Sequence, residues 1–194
     1  MRLPRVTSRV ALALMLLSAI WLALVVLSPF LVPSNTLKDL SGVVGGHENE
    51  NQFKALGPVP HAVYWLGDAE CHQLASRSYF LNGNQMPFCA RDVGLLLGLV
   101  LGFGFAMFVR WKIPPLLVLL GLVPIAIDGG LQQVTSYEST NPLRVATGLV
   151  AGLVLALLLA HFLFVIEEDR ARPKPMLAGL QNPQEKKTIQ RVGP

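Results

Sequence analysis

The chain has 194 residues, 52% of them hydrophobic and only 14% charged, with a formal net charge of +4. Soluble domains carry about a quarter charged residues, and here the charges fall in short clusters between long uncharged runs, which excludes an ordinary soluble domain. The basic residues flank apolar runs instead of forming a stripe of their own, which argues against a nucleic-acid partner.

A hydrocarbon core of ~30 Å takes about 20 mostly apolar residues of helix. Four runs meet that need. The expected fold class is all-α: a polytopic membrane protein with four transmembrane helices, at about 10–28, 92–110, 113–131 and 143–166. An outward-facing segment, 29–91, lies between the first two.

The first run, Val10 to Leu27, has Ser18 as its one polar residue and follows Arg2, Arg5 and Arg9. A signal peptide has an apolar stretch of ~7–15 residues and a small-residue cleavage site. This run is longer and ends in "LSPFLVP", so it reads as a retained helix. In the outer segment His47 sits in the polar loop "GGHENENQ" and is expected to be solvated. Further on, Tyr64 and Trp65 suit the headgroup layer, and a short helix from His61 to Gln73 is expected to lie on the membrane and deliver Cys71 to the outer surface.

Next comes "CHQLASRSYFLNGNQMPFCARD", residues 71–92, which holds both cysteines of the chain together with His72, Gln73, Arg77, Ser78, Arg91 and Asp92. Asn82-Gly83 is a strong turn signal that lets this stretch double back. The second apolar run carries Gly94, Gly98 and Gly102, and the fourth carries Gly148, Gly152, Ala156 and Ala160. Small residues at every fourth position let helix backbones approach closely in lipid, so these two helices are expected to touch. The third run starts after "IPP", where proline suits a first turn. Pro124 removes one of its backbone hydrogen bonds, and Asp128 interrupts its apolar character. Asn141-Pro142 reads as cap and first position of the fourth helix. His161 falls about 7 Å from that helix's far end and reads as interfacial. Residues 167–194 are charged, proline-rich and without apolar period, which predicts a disordered basic tail.

Of sixteen Lys and Arg residues, eleven lie at the N-terminus, at Arg110 and Lys112, and in the tail. The other five are Lys38, Lys54, Arg77, Arg91 and Arg144. The excess predicts a cell-membrane location with both termini cytoplasmic. Cys71, His72, Gln73, Arg77, Ser78, Cys89, Arg91, Asp92, Asp128, Gln132, Asn141 and Arg144 then share the outer face as one polar cluster. An ionisable residue inside a span is costly and needs a partner. For Asp128 the expected partner is Arg144.

"CHQLASRS", "GNQMPFCARDVG", "DGGLQ" and "STNPLRVATG" together resemble the membrane proteins catalogued as domain of unknown function 2085, over roughly residues 60–165. The resemblance implies about four transmembrane helices and no stated activity. Many members of that family have cysteine at the position of Asp92, completing a Cys-x-x-Cys. Here a carboxylate stands in its place, and carboxylate oxygen also ligates zinc.

Three readings follow. Cys71, His72, Cys89 and Asp92 are suitable ligands for a zinc, iron or copper ion. Alternatively, Cys71 and Cys89 form a disulfide on an oxidising outer face, with Asp92 capping the second helix. The third is a membrane-embedded enzyme or small-solute transporter built on a polar pocket around Asp128 and Arg144. No hydrolase, phosphate-loop or zinc-protease motif decides whether the protein is an enzyme. The expected partners are the lipid bilayer and a homo- or hetero-oligomer within it.

Overall fold

The computed structural model of the chain describes residues 7–40 and 42–171. It is mostly helical. Helix α1 (Arg9–Leu27) is capped by Ser8, whose hydroxyl accepts from the Ala11 N–H at 3.3 Å. It runs on into a single 3-10 turn at Ser28–Leu31. A cap follows: the short α2 (Glu50–Phe53), α3 (Pro58–Glu70), a 3-10 turn (Ala75–Arg77) and the hairpin β1 (Phe80–Leu81) and β2 (Asn84–Gln85). Three helices complete the fold: α4 (Ala90–Ala106), α5 (Pro115–Val134) and α6 (Asn141–Ala171).

Three stretches among the described residues are long and apolar enough to cross a membrane: Arg9–Leu31, Pro115–Val134 and Asn141–Arg170. At 17 residues, α4 is shorter and rises about 25 Å. The outward surfaces of α1 and α5 are greasy. Leu16, Leu17 and Ile20 on α1, and Leu116, Leu119 and Leu120 on α5, are exposed. Such a surface suits lipid, since helices satisfy their backbone groups internally. α4 begins two residues before its expected start, and α6 runs five residues past its expected end. The rest of the expected tail lies outside the described residues.

The bundle is organised by close approach of α4 and α6. A Cβ on Gly94 would overlap Val145, and one on Gly98 would overlap Leu149. From the other side, a Cβ on Gly148 would overlap the Arg91 carbonyl, and one on Gly152 the Leu95 carbonyl. The paired positions rise together along both helices, so α4 and α6 run parallel, and α5 returns in the opposite direction against α6. Ala106, Val154, Leu157, Ala160 and Phe164 continue this seam into an apolar core with Ala11 and Val118. At that end the chain termini of the helices are tied together. Thr7 N–H donates to Met107 O at 2.8 Å, Lys112 pairs with Glu168 at 3.0 Å, and Arg110 pairs with Glu167.

The cap is held by buried side-chain amides instead of a large sheet. Asn84 Oδ1 accepts from the Thr36 and Leu37 N–H groups at 2.9 and 3.0 Å, while its Nδ2 donates to Pro29 O and Pro33 O. Gln85 Oε1 accepts from Leu40 N–H at 3.0 Å. Asp68 accepts from the backbone and side chain of Asn49 at 2.9 and 2.7 Å. The hairpin turns on Asn82 (φ 53°) and Gly83 (φ 71°), the left-handed pair that a two-residue hairpin of this kind requires. Tyr64 differs from expectation. It is fully buried against Phe53 and donates to Gln85 O at 2.6 Å, so it belongs to the cap core and not to a headgroup layer. Burial pushes its hydroxyl pKa up. His47 is exposed, as expected, and also stacks on Trp65 with ring centroids 4.2 Å apart.

Replacing Gly98 or Gly152 with Leu is expected to force the α4–α6 seam apart and lower the melting temperature of the detergent-solubilised protein. Leu at Gly130 on α5, where a Cβ meets nothing within 4 Å, provides a comparison outside the seam. Equal losses for the seam and Gly130 variants would count against this account of the packing.

Candidate functional site

Cys71 and Cys89 come from different parts of the chain and meet at the junction of cap and bundle. Cys71 is the C-cap of α3, and Cys89 is the N-cap of α4. What brings them together is α3's approach to the strand exit. A Cβ on Gly67 would overlap the Pro87 carbonyl, so only glycine allows this contact. Gln73 Nε2 donates to the same carbonyl at 2.8 Å. Cys71 lies one helical turn beyond Gly67, and Cys89 two residues beyond Pro87. The two Sγ atoms and a carboxylate oxygen of Asp92 lie within 4.8 Å of one another.

The thiols are free, so the expected disulfide is not formed here. Nor is Asp92 the cap of α4. It stands at the third helical position, inside the first turn, where a negative charge suits the helix dipole. There it accepts from the Cys89 thiol at 3.0 Å. His72 falls outside the ligand-like group. Cys71 has extended backbone (φ −136°, ψ 144°), so successive side chains diverge, and the His72 side chain is exposed. The two thiols are electrostatically unlike. The neighbouring Cys89 thiol, aided by the N–H groups of Gln73 and Cys89, lowers the Cys71 pKa against the opposing effects of burial and Asp92. Cys89 is pushed up by its closeness to Cys71, by burial and by Asp92. The pair therefore holds one proton more tightly than the other.

These groups form one wall of a cavity of about 190 Å³. Glu70, His72, Gln73, Leu74, Arg77, Arg91 and Arg144 line the rest. Behind the arginines runs a polar chain. Arg91 pairs with Asp128, which is 5% exposed. Gln132 Nε2 donates to Asp128 at 3.2 Å, and its Oε1 accepts from Arg144 at 2.9 Å. Arg144 also donates to Ser76 O and Asn141 Oδ1, both at 3.2 Å. Glu138 joins Arg77 at 3.3 Å and Arg144 at 3.5 Å. Arg77 and the Ser76 hydroxyl hold the Glu138 carboxyl pKa below its ordinary value.

The sequence placed these residues at one end of the bundle, and the structure brings them together there, but the pairing differs. Asp128 binds Arg91, with Gln132 standing between it and Arg144. The reason is geometric: Arg91 projects from the start of α4, and Asp128 lies near the end of α5, at the same height. Asn141 does not cap α6 with its side chain. Its Nδ2 donates to Ser78 O at 3.1 Å, tying α6 to the cap, and the first helical carbonyl to accept is that of Thr140, from Arg144 N–H. Ser78 is buried, and its hydroxyl has no partner among the described residues. Sequence reasoning missed Glu138 as the shared partner of two arginines, and Gly67 as the residue that sets the cysteine spacing.

Residues 71–158 match the family described as Predicted membrane protein (DUF2085). An uncharacterized protein of Methanocaldococcus jannaschii is 34% identical over 122 residues, covering 60% of this chain and 76% of that one. The chain belongs to the DUF2085 family. A second relative, an uncharacterized protein of Methanothermobacter thermautotrophicus, is 38% identical over 91 residues, covering 45% of this chain and 82% of its own length. No solved structure matches. The DUF2085 match begins at Cys71 and takes in Cys89, Asp92, Asp128, Gln132 and Arg144, while α1 and much of the cap lie outside it.

Removing one partner of a poorly solvated ion pair leaves the other charge uncompensated, at a cost of about 3 kcal/mol. Asp128→Asn and Arg91→Gln are each expected to destabilise the protein, and the double variant by less than the sum. The same cycle between Asp128 and Arg144 should show weaker coupling. Coupling concentrated in the second pair would overturn the observed network.

Proposed function

We propose that this protein spans the membrane four times, with both termini cytoplasmic, and presents a metal centre at its outer face. Cys71, Cys89 and Asp92 are the ligands. The observation that carries this reading is the convergence of two sulfurs and a carboxylate oxygen within 4.8 Å at the wall of a cavity. Thiolate ligands select soft or borderline ions. Three protein ligands with a fourth position open to a cavity is the pattern of a zinc ion that binds water or substrate. Zinc is therefore the expected ion, with iron and copper as competitors for the same donors.

In this reading α4 is the fourth span. Its 17 residues sit at the short end of what a bilayer accepts. The excess of basic residues at the Arg110 end of the bundle supports placing that end in the cytoplasm. Reporter fusions at residues 60, 111, 138 and 180 are expected to read outside, inside, outside and inside. An outside report at 180 would refute the topology.

The metal reading is tested on protein purified without reductant or chelator. About one zinc per chain is expected, lost in Cys89→Ser and Asp92→Ala and retained in His72→Ala. Absence of metal together with two freely reactive thiols would refute it. A second reading has its own support: the same two free thiols are close and 18 residues apart, and closing such a loop is worth ~3 kcal/mol in the chain-entropy model. In that case the purified protein carries no free thiol and no metal. The reading as an enzyme or transporter around Asp128 and Arg144 is less favoured, because Arg144 lines the cavity and Asp128 does not.

A further inference from the structure

We infer that the cavity beside the cysteines binds a phosphate-class oxyanion, held by Arg91 and Arg144. The inference stands on the arginines and does not require the metal.

Arg77, Arg91 and Arg144 all line the cavity. Guanidinium groups stay charged in proteins, so each needs a compensating partner. Among the described residues two carboxylates touch these three cations: Asp128 on Arg91, and Glu138 shared by Arg77 and Arg144. Arg144 is the least compensated. It is 1% exposed, while its acidic neighbour Glu138 is half exposed and 3.5 Å away. Its other partners are the neutral oxygens of Ser76, Asn141 and Gln132. Two further carboxylates line the cavity. Glu70 is exposed and screened by water, and Asp92 accepts from the Cys89 thiol, so the case for an anion rests on the buried guanidinium groups and not on a surplus of charge.

The unused hydrogen-bonding groups agree in type. The Nε–H groups of Arg91 and Arg144 are buried and have no partner among the described residues. Buried donors left unpaired are costly and are normally satisfied by protein, water or ligand. These donors come from two helices, so a tetrahedral anion with several acceptor oxygens fits them better than one planar carboxylate. Gln73 lines the same cavity with a buried, unpartnered Oε1, its Nε2 being fixed on Pro87 O. That lone acceptor suits the P–OH of a protonated phosphate. The volume, about 190 Å³, is well above the ~30 Å³ share of one water.

A dissolved phosphate and the phosphate of a lipid headgroup present the same chemistry. The experiment uses the full-length protein, stripped of metal, so that its outcome is independent of the zinc measurement. In one arm, detergent-solubilised protein is titrated calorimetrically with inorganic phosphate. In the other, protein in nanodiscs containing phosphatidic acid is extracted, and retained lipid is counted by native mass spectrometry. Saturable phosphate binding, weakened at least tenfold by Arg144→Gln and by Arg91→Gln but unchanged by Lys112→Gln at the opposite end, supports a soluble anion. Retained phosphatidic acid that is lost in the same two variants supports a lipid headgroup. Should Arg144→Gln fail to fold, Arg91→Gln and Arg77→Gln carry the comparison. No binding in either arm, or binding indifferent to the arginine variants, overturns the inference.

Discussion

Everything at the polar end of this molecule depends on how closely the backbones of α4 and α6 approach. Gly148 lies against the carbonyl of Arg91, and Gly152 against that of Leu95. Arg144 is one turn before Gly148 on the same face of α6. The contact therefore fixes Arg144 at the level where α4 begins, beside Arg91, Asp92 and Cys89. A larger side chain at either glycine would change the separation of the helices and also the height at which these groups meet. In lipid, where apolar association has no solvent to drive it, such close packing is the main source of specificity between helices.

That placement has an electrostatic consequence. Arginine near a bilayer is tolerated where it faces the bundle and finds oxygen partners. Here Arg91, Asp128, Gln132, Arg144, Glu138 and Arg77 form one connected chain across α4, α5, α6 and the cap. α5 is otherwise loosely held, with its leucines turned outward and Gly121 packed on Val154. Asp128 and Gln132 are thus what registers its C-terminal end against the other helices.

The apolar runs, the small-residue stripes and the Asn82-Gly83 turn were legible in the sequence because each is a local pattern with one physical meaning. Long apolar stretches have few other uses, and glycine at every fourth position marks one helical face. The cap was not legible. Its order comes from Asn84, Gln85, Asp68 and Tyr64, polar residues that bury themselves by bonding backbone groups 19 to 47 positions away. No periodicity marks such a residue, and Tyr64 beside Trp65 imitates an interfacial pair. The ion pairing failed for a related reason. Charge and topology placed Asp128 with both Arg91 and Arg144, and only side-chain geometry could choose between them.

The candidate metal ligands divide between two units: Cys71 belongs to the cap, and Cys89 and Asp92 to α4. Gly67 against Pro87 brings the first to the second, while Gly148 against Arg91 sets the second against α6. The site is complete only when both contacts are made. A ligand that bridges the units must then stabilise their docking, because binding favours whichever state has the complete site. A metal or disulfide joining Cys71 to Cys89 would act on the hinge between cap and bundle while leaving the α4–α6 seam untouched. An anion on Arg144 and Arg91 would brace the cap end of the seam instead. The same cavity thus offers two separate points of control over one junction, which is a reason for placing the reactive side chains of a greasy protein together in this segment.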